Sequence, residues 1–105
     1  MNIKEIDPIS LKQWMIEGKA ILVDIRETTE RAVEKISGSH HNPLSTFNSA
    51  DLPTHDGKIV VYHCVAGMRT EMAGPQLTEA SSAASDVYHL RGGIIAWKNE
   101  GNGVE

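Results

Sequence analysis

Two short apolar runs dominate the pattern along the chain. Ala20-Ile21-Leu22-Val23-Asp24-Ile25 and Lys58-Ile59-Val60-Val61-Tyr62-His63 are nearly continuous, rich in β-branched residues and too short for a typical helix, which is how a strand buried on both faces reads. Ile3 to Ile6 and Val87-Tyr88-His89-Leu90 predict two further strands. Between the strands the period changes. Leu11, Trp14 and Met15 recur at i, i+3 and i+4, and Ser10 and Gln13 are spaced as a capping box, so a helix is predicted from Ser10 to Glu17, ended by Gly18. The stretch from Arg26 to Arg31 predicts a short exposed helix, and the charge run Glu27 to Lys35 a solvated face. Met72, Ala73, Leu77 and Ala80 share one side of a later helix that Gly74-Pro75 should kink. Arg91-Gly92-Gly93 reads as a tight turn before a last helical turn or two from Ile94 to Lys98, while Gly38, Asn42-Pro43 and Pro53 punctuate a middle region of turns. Strands alternating with helices predict an α/β fold, a largely parallel central sheet flanked by helices, whose sites lie outside the C-terminal strand ends. Asp24, Cys64 and Arg91 map to such ends.

Length and charge then narrow the function. At 105 residues the chain holds one core, so residues 1–105 are expected to form a single domain. Ten Lys and Arg against fourteen Asp and Glu give a net charge of -4, the wrong sign for gripping nucleic acid or an anionic membrane surface. No apolar run approaches the roughly 18 residues of a membrane span, and Met1 to Pro8 lacks the apolar stretch of a signal peptide, so a cytoplasmic, monomeric protein is expected. A lone Cys64 forms no internal disulfide. His40 and His41 are adjacent and point opposite ways on a strand, and His55, His63 and His89 lack metal-ligand spacing, so neither a metal nor another cofactor is expected. His63, preceding Cys64 on a strand, is expected to point away from the thiol. Trp14 and Trp97 lie on amphipathic patterns and are expected in the core.

The chemistry concentrates at Cys64, at the corner where the second buried run gives way to a helix. There the positive end of the helix dipole and the N–H groups of the loop both favour thiolate over thiol, and Arg69 adds a permanent positive charge. Gly67 lets several amides turn toward one centre, a backbone that a Cβ-bearing residue would resist. The competing reading makes Cys64 a small buried hydrophobe, the usual fate of a free cysteine; Gly67 and Arg69 at these spacings favour the nucleophile. Asp24 is an unsuitable base, because a second negative charge would disfavour the thiolate.

The run Cys64-Val65-Ala66-Gly67-Met68-Arg69-Thr70 resembles the active-site loop of the rhodanese-like domain family. Val23-Asp24-Ile25-Arg26-Glu27 is similar to the family's early strand motif, Gly38 to Pro43 to its glycine-containing turn, and Arg91-Gly92-Gly93 with Trp97 to its closing signature. The chain's length is that of a single rhodanese domain, similar to the module that opens some bacterial membrane-tethered sulfurtransferases. The resemblance implies a three-layer rhodanese-like fold and a sulfurtransferase of the thiosulfate type, with a persulfide carried on Cys64. It implies a site lined by Val65, Ala66, Gly67, Met68, Arg69 and Thr70, in which Arg69 takes the anionic donor or forms an ion pair with Asp24 or Glu71. The partners it implies are a small-molecule sulfur donor and a cyanide or thiol acceptor, with a protein donor as an alternative in a sulfur-relay or regulatory module. Val65, Ala66 and Met68 give a dianion little charge beyond Arg69, so weak thiosulfate binding is expected. The loop is one residue shorter than the phosphate-cradling loop of low-molecular-weight and dual-specificity phosphatases, which makes that chemistry the weaker alternative.

Overall fold

A computed structural model describes residues 3–105; Met1 and Asn2, and the reading of the extreme N-terminus that rests on them, lie outside the described residues. Five parallel strands form one sheet in the order β1-β5-β4-β2-β3. They are β1 (Lys4–Ile6), β2 (Ala20–Asp24), β3 (His40–His41), β4 (Ile59–His63) and β5 (Asp86–Leu90). Both long apolar runs become central strands, β2 against β4 with Leu22 opposite Val61. A parallel sheet needs a crossover between neighbours, and the helices supply it: α1 (Pro8–Ile16), α2 (Thr28–Val33), α3 (Met68–Met72), α4 (Gly74–Ala80) and α5 (Gly93–Asn99).

Strand alternation divides the core in two. On one face Leu22, Val61 and Leu90 meet Leu11 of α1 and Ile94 and Trp97 of α5, with Trp14 packed edge-on to Tyr88 at 5.2 Å between ring centroids. On the other, Val23, Val60, Tyr62 and Cys64 meet Leu77 of α4 and the short turns carrying Leu44, Phe47 and Leu52. Each fully buried aliphatic side chain here contributes about 1.5 to 3 kcal/mol of transfer free energy. Both tryptophans are packing residues, as the periodicity predicts. α2 has no buried residue and is held by charge.

Several local readings shift. Helix α1 begins two residues earlier than Ser10: Asp7 is the N-cap, its carboxylate accepting the Ser10 N–H at 3.0 Å, and Pro8 takes the first turn, where its missing N–H is no loss. Gln13 bonds Glu17 instead of closing a capping box. The capping box forms at α2, between Glu27 and Glu30. His40–His41 pair with the edge of β2, a two-residue strand too short for any periodicity to reveal. The kink expected at Gly74-Pro75 is a full break, with Ala73 closing α3 and opening α4. A Cβ on Gly74 would stand 3.1 Å from Ile3 Cγ2, so the break brings α4 hard against the start of β1.

Candidate active site

β4 hands Cys64 to a loop that turns at Gly67 (φ 98°) into α3. Glycine is required there, since a Cβ would meet Gly92 N at 3.4 Å in a backbone region that side chains resist. The Gly92-Gly93 turn presses on the loop from the other side: a Cβ on Gly93 (φ 59°) would fall 2.3 Å from the Val65 carbonyl oxygen. From this turn the Ile94 and Ile95 N–H groups donate to the carbonyls of Cys64 and Val65 at 3.0 and 3.2 Å. Because a trans peptide places N–H opposite C=O, those bonds turn the Val65 and Ala66 amides away from α5.

Cys64 is 1% exposed, and its Sγ accepts the Gly67 N–H at 3.2 Å. The thiol therefore sits where the strand alternation and the loop place it. The helix behind it is a single turn of five residues, so the direct amide bond contributes more than the expected dipole. A cup of about 370 Å³ opens over the sulfur, lined by Cys64, Val65, Ala66, Met68, Arg69 and Met72. Met68 and Met72 are 71% and 82% exposed at its rim. Of the loop residues the sequence singles out, Gly67 and Thr70 are buried behind this surface instead.

The Arg69 guanidinium forms a two-pronged pair with Glu30 of α2, at 2.8 and 2.9 Å. Its partner is thus neither Asp24 nor Glu71. Arg69 holds the Glu30 carboxyl down to about 2 from its ordinary 4.5, so Glu30 stays ionised through the whole physiological range. Glu30 was invisible as a site residue in the sequence: its contact with Arg69 spans 39 positions.

Below the loop lies a buried charge network that the expected solvated face did not anticipate. Asp24, fully buried, accepts from Arg26 N, Nε and Nη2 at 2.9, 3.0 and 2.9 Å and from Arg31 Nη1 at 3.1 Å. Arg26 is only 3% exposed; a charge of either sign is kept in such a place only when it is paired. Burial alone would raise the Asp24 carboxyl, but the Arg26 hydrogen bonds and charge hold it below its ordinary range. His63 does point away from the thiol. Its Nδ1 donates to the Cys64 carbonyl at 3.1 Å while Nε2 faces Asp24 Oδ1 at 3.7 Å. Burial keeps the ring neutral, so one nitrogen lacks a hydrogen, and Nε2 is left without a partner. Among the described residues no cluster of three or more His, Cys, Asp or Glu side chains is placed to hold a metal ion, and no helix is long and apolar enough to cross a membrane.

A parallel α/β sheet that delivers one buried thiol, capped by a loop amide, to the floor of a small cup defines a protein organised around a single sulfur atom. Residues 7–100 match the Rhodanese-like domain family, and the chain belongs to it. An uncharacterized protein of Synechocystis sp. is 38% identical over 91% of this chain, which spans about half (52%) of that relative's length. The thiosulfate sulfurtransferase GlpE of Pseudomonas fluorescens is 36% identical over 93% of this chain and 87% of its own. Among solved structures, a rhodanese-related protein from Thermoplasma volcanium superposes with a TM-score of 0.80 over 97% of both chains at 23% identity, a likeness of fold alone.

Proposed function

We propose that the protein is a sulfurtransferase that carries a sulfane sulfur as a persulfide on Cys64. The observation that carries this reading is the Gly67 N–H on Sγ at the base of a cup with room for a second sulfur. The Cys64 thiolate attacks the outer sulfur of a donor such as thiosulfate; the donor's S–S bond breaks and its electron pair leaves with sulfite. A cyanide or thiolate acceptor then attacks the outer sulfur of the persulfide and releases the Cys64 thiolate. Dividing the transfer this way is covalent catalysis, and the Val65 and Ala66 amides, turned away from α5, suit a sulfur anion as an oxyanion hole suits oxygen. No cofactor enters these steps. Kinship with a thiosulfate sulfurtransferase supports thiosulfate as one donor.

The rim supports a second reading of the partner. Val65, Ala66, Met68 and Met72 are apolar, and the single cation of the cup already faces Glu30. Such a mouth suits a sulfur carried by a protein cysteine among apolar side chains better than a free dianion. The test is intact-protein mass after incubation with thiosulfate or with a persulfidated cysteine desulfurase. A gain of one sulfur that cyanide removes is expected from either donor, and larger from the protein one; no gain from any donor overturns the function.

Arg69 as donor ligand is testable through its partner. Glu30→Gln keeps an oxygen for the Glu27 N–H that Glu30 now accepts at 2.9 Å but weakens the hold on Arg69, so kcat/KM for thiosulfate should rise. Arg69→Ala should lower it by roughly 1.5 to 3 kcal/mol, a charge-assisted hydrogen bond. If Arg69→Ala lowers only the melting temperature, Arg69 is a structural cation.

A further inference from the structure

Behind the cup, side chains from three elements stand in a line. Cys64 Sγ, at the end of β4, lies 3.7 Å from Thr70 Oγ1 of α3. Thr70 Oγ1 in turn lies 2.7 Å from His89 Nδ1 of β5. Thr70 and His89 are both buried, at 0% and 3% exposure, so water does not compete for these contacts.

Proton counting gives the line a direction. A threonine hydroxyl has one hydrogen to donate and lone pairs to accept with. Thr70 Oγ1 has three neighbours: the Gly67 carbonyl at 3.1 Å, His89 Nδ1 and Cys64 Sγ. The carbonyl only accepts, and a thiolate only accepts. If His89 Nδ1 also accepted, three acceptors would compete for one hydrogen and the closest, His89, would draw it away from the sulfur. If His89 Nδ1 carries the hydrogen, Thr70 accepts from it, and its own hydrogen is left to two acceptors only, the Gly67 carbonyl at 3.1 Å and the sulfur at 3.7 Å, of which an ionised sulfur makes the stronger, charge-assisted bond.

We propose that His89 is a positioning residue for the sulfurtransferase reaction: its Nδ1–H donates to Thr70 and so keeps the Thr70 hydroxyl hydrogen available to the Cys64 thiolate. The inference deepens the function proposed above, since it concerns the same thiol. The surroundings of His89 agree with a one-hydrogen ring. Burial pushes the imidazole down, opposed by the negative charges of Glu5 on β1 and Glu71 on α3, while its register partner on β4 is the neutral Tyr62. A neutral ring has a single hydrogen to place, so its tautomer decides which way Thr70 points. The Gly67 amide and the Thr70 hydroxyl would then hold the sulfur from two sides of the loop.

The test is the rate of Cys64 alkylation by iodoacetamide in the full chain, followed against pH. His89→Ala should slow the reaction about fivefold at neutral pH, the effect of one ordinary hydrogen bond, and displace the rise of the profile to higher pH. His89→Asn, which offers an N–H from nearly the same place, should recover most of the rate, an outcome that packing alone does not produce. Thr70→Val should slow alkylation as much, and adding His89→Ala to it should change nothing further. If His89→Ala fails to fold, His89→Leu, similar in volume and without an N–H, takes its place. A wild-type rate and profile without the imidazole, or a His89 effect that persists in Thr70→Val, overturns the proposal. Alkylation needs no sulfur donor, so a protein that accepts no sulfur ends the functional reading and leaves this comparison intact.

Discussion

Replacing Cys64 by Ser should abolish sulfur uptake while leaving the fold in place. Serine differs by one atom, fits the buried site, and can accept the Gly67 N–H that now reaches Sγ. The expected mass gain from thiosulfate, or from a protein persulfide, should vanish, and turnover should fall by at least three orders of magnitude, on the order of other nucleophile deletions. The physical reason is nucleophilicity. A thiol ionises near neutral pH and bonds readily to sulfur, whereas a serine hydroxyl without an adjacent base does neither. Among the described residues only Gly67 N and the Thr70 hydroxyl stand within hydrogen-bonding reach of Sγ, and neither is a base that would activate a serine. A Cys64→Ser protein that still gains sulfur would move the chemistry to another residue, and no other thiol is available in the chain.

The largest effect on stability should come from Asp24→Ala. Removing that carboxylate leaves Arg26 at 3% and Arg31 at 16% side-chain exposure facing each other without a counter-charge. Breaking one side of a buried ion pair costs about 3 to 5 kcal/mol, which for a chain of this size lowers the melting temperature by roughly 15 °C or more. The sign of the pH dependence follows from the depressed Asp24 carboxyl. Its contribution is complete above the ordinary value of 3.8 and lost as pH falls through the lower folded value, because the unfolded chain takes up the proton first. Asp24→Asn should remove that acid-side slope while retaining part of the hydrogen bonding. Urea unfolding across pH checks both variants, and a loss below about 1 kcal/mol for Asp24→Ala would make the network incidental.

What could be read in the chain and what could not divide along physical lines. The strand at Ile59–His63 was legible because burial on both faces demands an apolar run whatever surrounds it. The Gly67 turn was legible because a positive φ selects glycine locally. The start of α1 was misplaced because Asp7 and Ser10 are both good caps, and the choice between them fell to Pro8, which fits only the first turn. The exposed stretch expected from Arg26 to Arg31 misled at its first residue for a different reason. A hydropathy pattern counts Arg26 as solvated, whereas its guanidinium lies against a buried carboxylate two residues back.

The sequence by itself determined the parallel α/β scheme, the place of Cys64 at the end of a buried strand and the glycine turn of the loop that follows it, because these depend on short-range patterns: burial and turn geometry. Only the tertiary structure decided which charges meet and which hydroxyl faces the thiol. Glu30 reaches Arg69 from 39 residues away, and His89 reaches Thr70 from 19. Such partners are brought together by strand order and helix placement. A polar side chain carries no mark of its distant partner until the sheet has formed and excluded the water that would otherwise satisfy it.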